Sequence, residues 1–529
     1  MAKKLLLLTS ALASVIALSA QNYSNPILHK DYSDPDVCKA RNGYYMTASS
    51  FNCFPGLPIL HSKDLVNWEL IGAALSGYPE QPAPGEGVWA PSIRYHKGWF
   101  YIFVGDPDRG IFMVRTKDPA GPWEEPVWVV KEKGFIDPCP LWDDDGNAYL
   151  SHALAGSRAG LKSVIYVAPM SPDGTKLLGP SRIVFDGHKT QPTIEGTKFY
   201  KRGKYYYIFA PAGGVSTGWQ TVLRSKNPFG PYEDRVVMAQ ADGTINGPHQ
   251  GAWVSASSGD WFLHFQDKGA YGRIVHLQPM KWNDDGWPVI GEDPDGDGIG
   301  QPVEQWSLPV KEKKGSGNGS IGPYGLSLEW QYPCVPRPFW HYAMPDGGVR
   351  LYSVEQEVGY RNLWDCPNVL QQKFPAEHFT VTAKLSFRPN PQLQERGEQA
   401  GMVVMGTDYF ALRITDRTGG AQLDFVSCLN ASDGAPEDVQ PIDMLSYADG
   451  RSLVLWVKLD VFAHDNVTPV PDAIGRFSYS TDGENFSRAG TPFIAKPGRW
   501  IGAKWGFFCN RYAPKNDSGA LDITELIVE

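Results

Sequence analysis

An all-β chain is predicted: a five-bladed β-propeller followed by a β-sandwich. Three observations carry this. A turn glycine followed by aromatic or apolar residues recurs five times at intervals of about fifty residues, a charged Gly/Ser-rich stretch interrupts the pattern, and short alternating runs then continue to the end. Units of that length, each with room for four short strands, are the mark of propeller blades. Alternating runs bounded by turn signals read as a sandwich. At 529 residues the chain is too long for one ordinary core. Its 18 Trp, 24 Tyr and 24 Phe favour strands and surfaces that stack on flat ligands. A net charge of −9 excludes a phosphate-binding face, and with it nucleic acid. A neutral, hydrogen-bonding ligand fits better.

In chain order, residues 1–20 carry Lys3 and Lys4, an apolar run and a closing Ala17-Leu18-Ser19-Ala20. This predicts a signal peptide, and so an exported protein, periplasmic or extracellular. Small residues interrupt the run, which weakens the reading as a membrane anchor, and no later stretch is apolar enough to span a bilayer. The propeller is expected over 21–306. Its repeats are "NGYYMTAS" at Gly43, "KGWFYIFV" at Gly98, "DGNAYLSH" at Gly146, "RGKYYYIF" at Gly203 and "SGDWFLHF" at Gly259. A linker is expected at 307–320, around "KEKKGSGNGS", and the sandwich over 321–529.

Eight to ten residues upstream of these glycines lie Asp34, Trp89, Asp137, Glu195 and the pair His249-Gln250. The first strand of each blade lines the central channel, so residues in one phase should meet at one level. Three acids there would repel one another unless function retains them. Competing chemistries lack context. "GVSTG" around Ser216 matches G-x-S-x-G but follows a strand with no helix after it. There is no P-loop and no His/Cys metal cluster. Glycoside hydrolysis instead requires paired carboxylates in different protonation states, which a third acid can separate. Groups on opposing blades leave room for a water, which points to inversion.

The stretches "NPILHKDYSDPDV", "WAPSIRYHKGWFYIF", "FIDPCPLWDDDGNAYL", "IEGTKFYKRGKYYYIF" and "YGRIVHLQPMKW" resemble glycoside hydrolase family 43, inverting five-bladed propellers that include β-xylosidases, α-L-arabinofuranosidases and arabinanases. The resemblance implies Asp34 as general base, Glu195 as general acid and Asp137 as the carboxylate that tunes and positions that acid. It further implies that Phe51 and Trp89 wall the sugar subsite and that Arg273 contacts substrate. His249 falls where the family keeps an active-site histidine, although "GPHQGAWV" departs from the xylosidase pattern. Phe51 as core and Arg273 as an ion-pair partner of the acids stay open as alternatives. Asp31 and Asp36 read as turn or strand-edge carboxylates, Asp143-Asp144-Asp145 as a solvated turn, and Cys139 as packing beneath the acid.

The sandwich resembles the concanavalin-like C-terminal domain of family xylosidases, and "KWGFFCN" is its expected reach into the pocket, through Phe507 or Phe508. The resulting expectation is an exo-acting inverting hydrolase that releases α-L-arabinofuranose or β-D-xylose from plant glycans and needs no cofactor. An endo-arabinanase, a catalytically silent sugar-binding propeller and a retaining fructan-type propeller are the alternatives. The stretch "DPDGDGIGQPVE" from Asp293 to Glu304 fits a calcium-loop pattern, with an acidic surface loop as the other reading. The seven cysteines are scattered, which favours free thiols over a Cys38–Cys53 bridge.

Overall fold

The computed structural model describes residues 22–41, 43–241, 243–309, 320–393, 397–448, 452–464, 470–512 and 516–529. The expected signal peptide, and most of the expected linker, lie outside the described residues. Among those described, five four-stranded sheets are followed by two seven-stranded ones. Each four-stranded sheet takes its strands in sequence order and is one blade. The innermost strands are Asp36–Ala40, Pro91–His96, Phe135–Trp142, Lys198–Arg202 and His249–Ala256. The repeated glycines mark the turn into the second strand. Gly98, Gly146, Gly203 and Gly259 have φ of 87°, 81°, 57° and 135°, so conformation rather than space demands glycine there.

Second strands such as Trp99–Asp106 and Tyr205–Ala212 are buried almost throughout, because neighbouring blades cover both faces. That is why they read as unbroken aromatic and aliphatic runs. The propeller interior is accordingly five apolar wedges, one per blade junction. Chain closure is antiparallel: Asn22–Ser24 pairs with Gln305–Ser307, and the Ile27 N–H donates to the Val275 carbonyl of the last blade at 2.9 Å.

With the apolar packing between blades, the axis is left to polar groups. Asp36 is fully buried and accepts from Arg94 Nη1 and the Ile93 N–H, each at 2.6 Å. Asp36 opens its strand, as the strand-edge reading expects, and it also ties the first blade to the second. Arg94 also reaches Cys139 Sγ at 2.9 Å, and the buried Lys198 ammonium donates to the Pro91 carbonyl at 2.7 Å and Ser92 Oγ at 2.9 Å. All seven cysteines are free.

The two large sheets form the C-terminal sandwich, with strand orders that run from His341–Ala343 to Ser487–Ala495 in one and from Val354–Glu355 to Asp438–Leu445 in the other. Its core cluster includes Ala270 and Tyr271 of the propeller. Phe54 and Tyr332 exchange backbone hydrogen bonds of 2.9 and 2.8 Å across the junction.

Removing one partner of a buried ion pair strands the other charge, at a cost of about 3–5 kcal/mol. Arg94→Met should therefore lower the unfolding free energy by that order in urea titration. A loss below about 1 kcal/mol would show that the blades do not depend on the pair.

Candidate active site

Five residues that line the pocket have left-handed backbone without being glycine: Asp34 at φ 54°, Phe51 at 51°, Asp137 at 55°, Gln250 at 34° and, from the sandwich, Trp500 at 64°. Asp137 and Gln250 sit at register shifts in their innermost strands, between Ile136 and Cys139 and between His249 and Gly251. A bulge takes a residue out of the ladder and re-aims its side chain, at a strain of about 1–3 kcal/mol for a non-glycine. Glu195 precedes its strand, and Gly196 beside it has φ 66°, where a Cβ would come within 2.9 Å of Pro211 and 3.0 Å of Gln250.

These backbones bring Asp34, Asp137, Glu195, His249, Arg273, Phe51 and Trp89 around one pocket of about 120 Å³. Ser49 Oγ donates to Asp34 at 2.6 Å and Arg273 Nη1 at 3.1 Å, a pairing suited to an anion. Asp137 accepts the Gly196 N–H at 2.6 Å, and its own carbonyl accepts from Thr197 Oγ1 at 2.8 Å, which fixes it against the loop that carries Glu195. The Glu195 side chain is 37% exposed, against 6% for Asp34, so it is the acid presented to the pocket space.

Although it borders the pocket space, the Glu195 carboxyl is surrounded by protein, and that desolvation, then the negative charges of Asp137 and Asp34, push its pKa up; Arg273 and Lys162 oppose this more weakly. Asp137 is also pushed up, chiefly by burial, with the Gly196 N–H acting against it. The two titrate as a pair that retains a proton above the ordinary carboxylate range. His249 lies 3.9 Å from Glu195, and its pKa is lowered to about 3, first by burial and then by Arg273. It is therefore neutral imidazole, and neither ring nitrogen has a hydrogen-bond partner among the described residues.

The sandwich contributes to the pocket, but not through the expected residues. Phe507 and Phe508 are fully buried in the strand Lys504–Arg511, while Trp500, in the loop before it, lines the pocket. Trp500 stands edge-on to Trp89 at 6.2 Å, Trp89 edge-on to Phe51 at 6.4 Å, and the Arg273 guanidinium lies 5.8 Å from the Trp500 ring. Beyond Trp500 opens a wider cleft of about 510 Å³, lined by Pro84, Glu86, Arg158, Asp267 and Arg499. Sequence reasoning missed Trp500, Ser49 and Val215; a lone tryptophan between glycines in "PGRWIG" was the available signal.

Ser216 lies in the turn between Tyr205–Ala212 and Trp219–Ser225, with no helix following. Asp143 accepts from the Asp145 and Asn147 N–H groups, as a turn residue does. Cys139 is buried beneath Asp137, with the Phe199 N–H on its sulfur at 3.1 Å. In the acidic loop, carboxylates of Asp293, Asp295 and Asp297 come within 4.8 Å of one another, but Glu304 turns to Thr244 Oγ1 at 2.9 Å. The set thus offers a cation three carboxylates without the twelfth-position ligand.

Residues 23–288 match the family Glycosyl hydrolases family 43, and residues 323–525 match the Beta xylosidase C-terminal Concanavalin A-like domain. A putative β-xylosidase of Xylanibacter ruminicola is 36% identical over 92% of this chain and 85% of its own length. A non-reducing end α-L-arabinofuranosidase of Bacteroides ovatus is 32% identical over 78% of this chain and 80% of its own. The solved xylan β-1,4-xylosidase of Bacillus halodurans superposes with a TM-score of 0.81 at 22% identity, covering 96% of this chain and 99% of that one.

Asp137→Asn removes a negative charge beside Glu195. The Glu195 carboxyl should then titrate at lower pH, which carboxyl-labelled NMR would follow; an unmoved or raised titration would contradict the electrostatic coupling.

Proposed function

The chain belongs to glycosyl hydrolase family 43 and is a glycoside hydrolase, and from that premise we propose that it is exo-acting and inverting, releasing a terminal or side-chain pentose, α-L-arabinofuranose or β-D-xylose, from plant cell-wall glycans. One observation carries this reading: a single pocket holds an acid kept protonated and a carboxylate held against a guanidinium, and Trp500 walls it off from the cleft beyond. A wall there suits one terminal sugar in the pocket with the remainder in the cleft, and disfavours the open groove of an endo-enzyme.

In the proposed reaction Asp34 takes a proton from water as its oxygen attacks the anomeric carbon, and Glu195 gives its proton to the departing glycosidic oxygen. Asp137 holds Glu195 protonated by like-charge repulsion and orients it through Gly196. Phe51, Trp89 and Trp500 pack against the sugar; Arg273 anchors Asp34 and reaches a sugar hydroxyl. Neutral His249 offers its free ring nitrogens to another. The chemistry calls on no cofactor. A calcium ion at Asp293, Asp295 and Asp297 would be structural, so EDTA would lower the melting temperature while leaving kcat unchanged. Export to the periplasm or the extracellular space is part of the same proposal and rests on residues 1–20; cell fractionation tests it.

The deciding experiment is side-by-side hydrolysis of aryl α-L-arabinofuranoside and aryl β-D-xyloside, with Asp34→Asn as the blank. Turnover of at least one, lost in the variant, with product of inverted configuration by NMR, is the expected result. No turnover of either, with cleavage of linear arabinan, would replace the reading with an endo-enzyme; retained configuration would remove the inverting mechanism. Glu195→Gln should lose about 10²–10⁴-fold on oligosaccharides and far less on activated aryl glycosides, whose leaving groups barely need the proton.

A further inference from the structure

Asp31 is 5% exposed, and the turn-like sequence around it conceals what it holds. Its Oδ1 accepts the Arg273 N–H at 2.9 Å and Ser33 Oγ at 3.1 Å, while Oδ2 accepts the Gly502 N–H at 3.0 Å. The two N–H groups come from different domains. Each lies a short step from the pocket: Arg273 is itself the partner of Asp34, and Gly502 follows Trp500 by two residues. Ser33 Oγ also stands 3.4 Å from the Trp500 carbonyl. The backbone carbonyl of Asp31 accepts from the Lys373 ammonium of the sandwich at 2.5 Å.

The backbones here approach as closely as they can. A Cβ on Gly272 would sit 2.5 Å from the Asp31 Cβ, and one on Gly502 would sit 2.7 Å from the Gly272 nitrogen. The Ala503 N–H closes the contact on the Ala270 carbonyl at 2.7 Å. A carboxylate fits this site because both oxygens must accept. An asparagine keeps one acceptor and turns an NH₂ against the second N–H, which leaves a buried donor unmatched.

We propose that Asp31 is a positioning residue: its carboxylate locks the sandwich loop bearing Trp500 to the start of the propeller strand bearing Arg273, and so sets the pocket wall in register with Asp34. The inference rests on the pocket being the substrate site, and its test has an arm that needs no substrate. Hydrogen exchange over residues 497–503 should speed up in Asp31→Asn and in Ser33→Ala, with distant sandwich strands unchanged. Unchanged exchange at 497–503 in the folded variants would overturn the lock, whatever the enzyme turns over.

On the aryl glycoside that the wild type hydrolyses, Asp31→Asn should lower kcat/KM about 10–100-fold, and Ser33→Ala should raise KM several-fold with kcat within about twofold. In a Trp500→Ala background the KM effect of either should shrink to within about twofold, because the ring being positioned is gone. Full additivity with Trp500→Ala would reduce Asp31 to general structure and overturn the proposal. Should Asp31→Asn fail to fold, the Ser33→Ala and Trp500→Ala cycle decides by the same criteria.

Discussion

Crowding of carboxylates at the head of the channel is the constraint around which the rest of the molecule is arranged. Asp34, Asp137 and Glu195 cannot all be charged in one buried pocket at ordinary cost. Their surroundings divide the burden: a guanidinium and a hydroxyl face Asp34, the Gly196 N–H faces Asp137, and Glu195, with no comparable donor among the described residues, has its carboxyl pKa pushed up. Three chemically similar side chains thereby become different reagents through placement alone. Strained backbone at Asp34 and Asp137 and the glycine at 196 are the means of that placement.

The propeller suits this because its apolar packing lies between blades rather than on the axis. Polar groups on the axis cost the fold little core. Below the pocket, Asp36, Arg94, Cys139 and Lys198 stitch the inner strands together, so the carboxylates above rest on a charged, hydrogen-bonded foundation. The sandwich completes the pocket from the side, and one of the places where the propeller meets it is the strand start at Arg273, whose guanidinium pairs with Asp34.

Much of this was legible in the sequence, for an identifiable reason. Repeats put Asp34, Asp137, Glu195 and His249 in one phase, and a closed ring converts common phase into common height. Trp500 was not legible in that way, since it belongs to no blade, and its position depends on how two domains dock across hundreds of residues. Phe507 and Phe508 drew the expectation instead through the resemblance to the family's C-terminal domain; alternation buries one on each face of the sheet. Asp31 and Asp36 read as turn and strand-edge carboxylates, which is where they lie, but a turn-rich "DYSDPDV" does not disclose what they hold. Only burial separates a solvated turn from a carboxylate bound on both oxygens, as Asp31 is.

Ala270 and Tyr271 pack in the core of the sandwich although the chain places them in the propeller's last blade. Units that share side chains in one apolar cluster do not behave as cassettes. Over evolutionary time such a pair must diverge in step, since a sandwich borrowed from elsewhere would leave Tyr271 without its socket and the pocket without a wall. Diversification of substrate choice in this architecture is thus channelled into the loops at the seam, where a change such as one at Trp500 alters the wall without unmaking the joint.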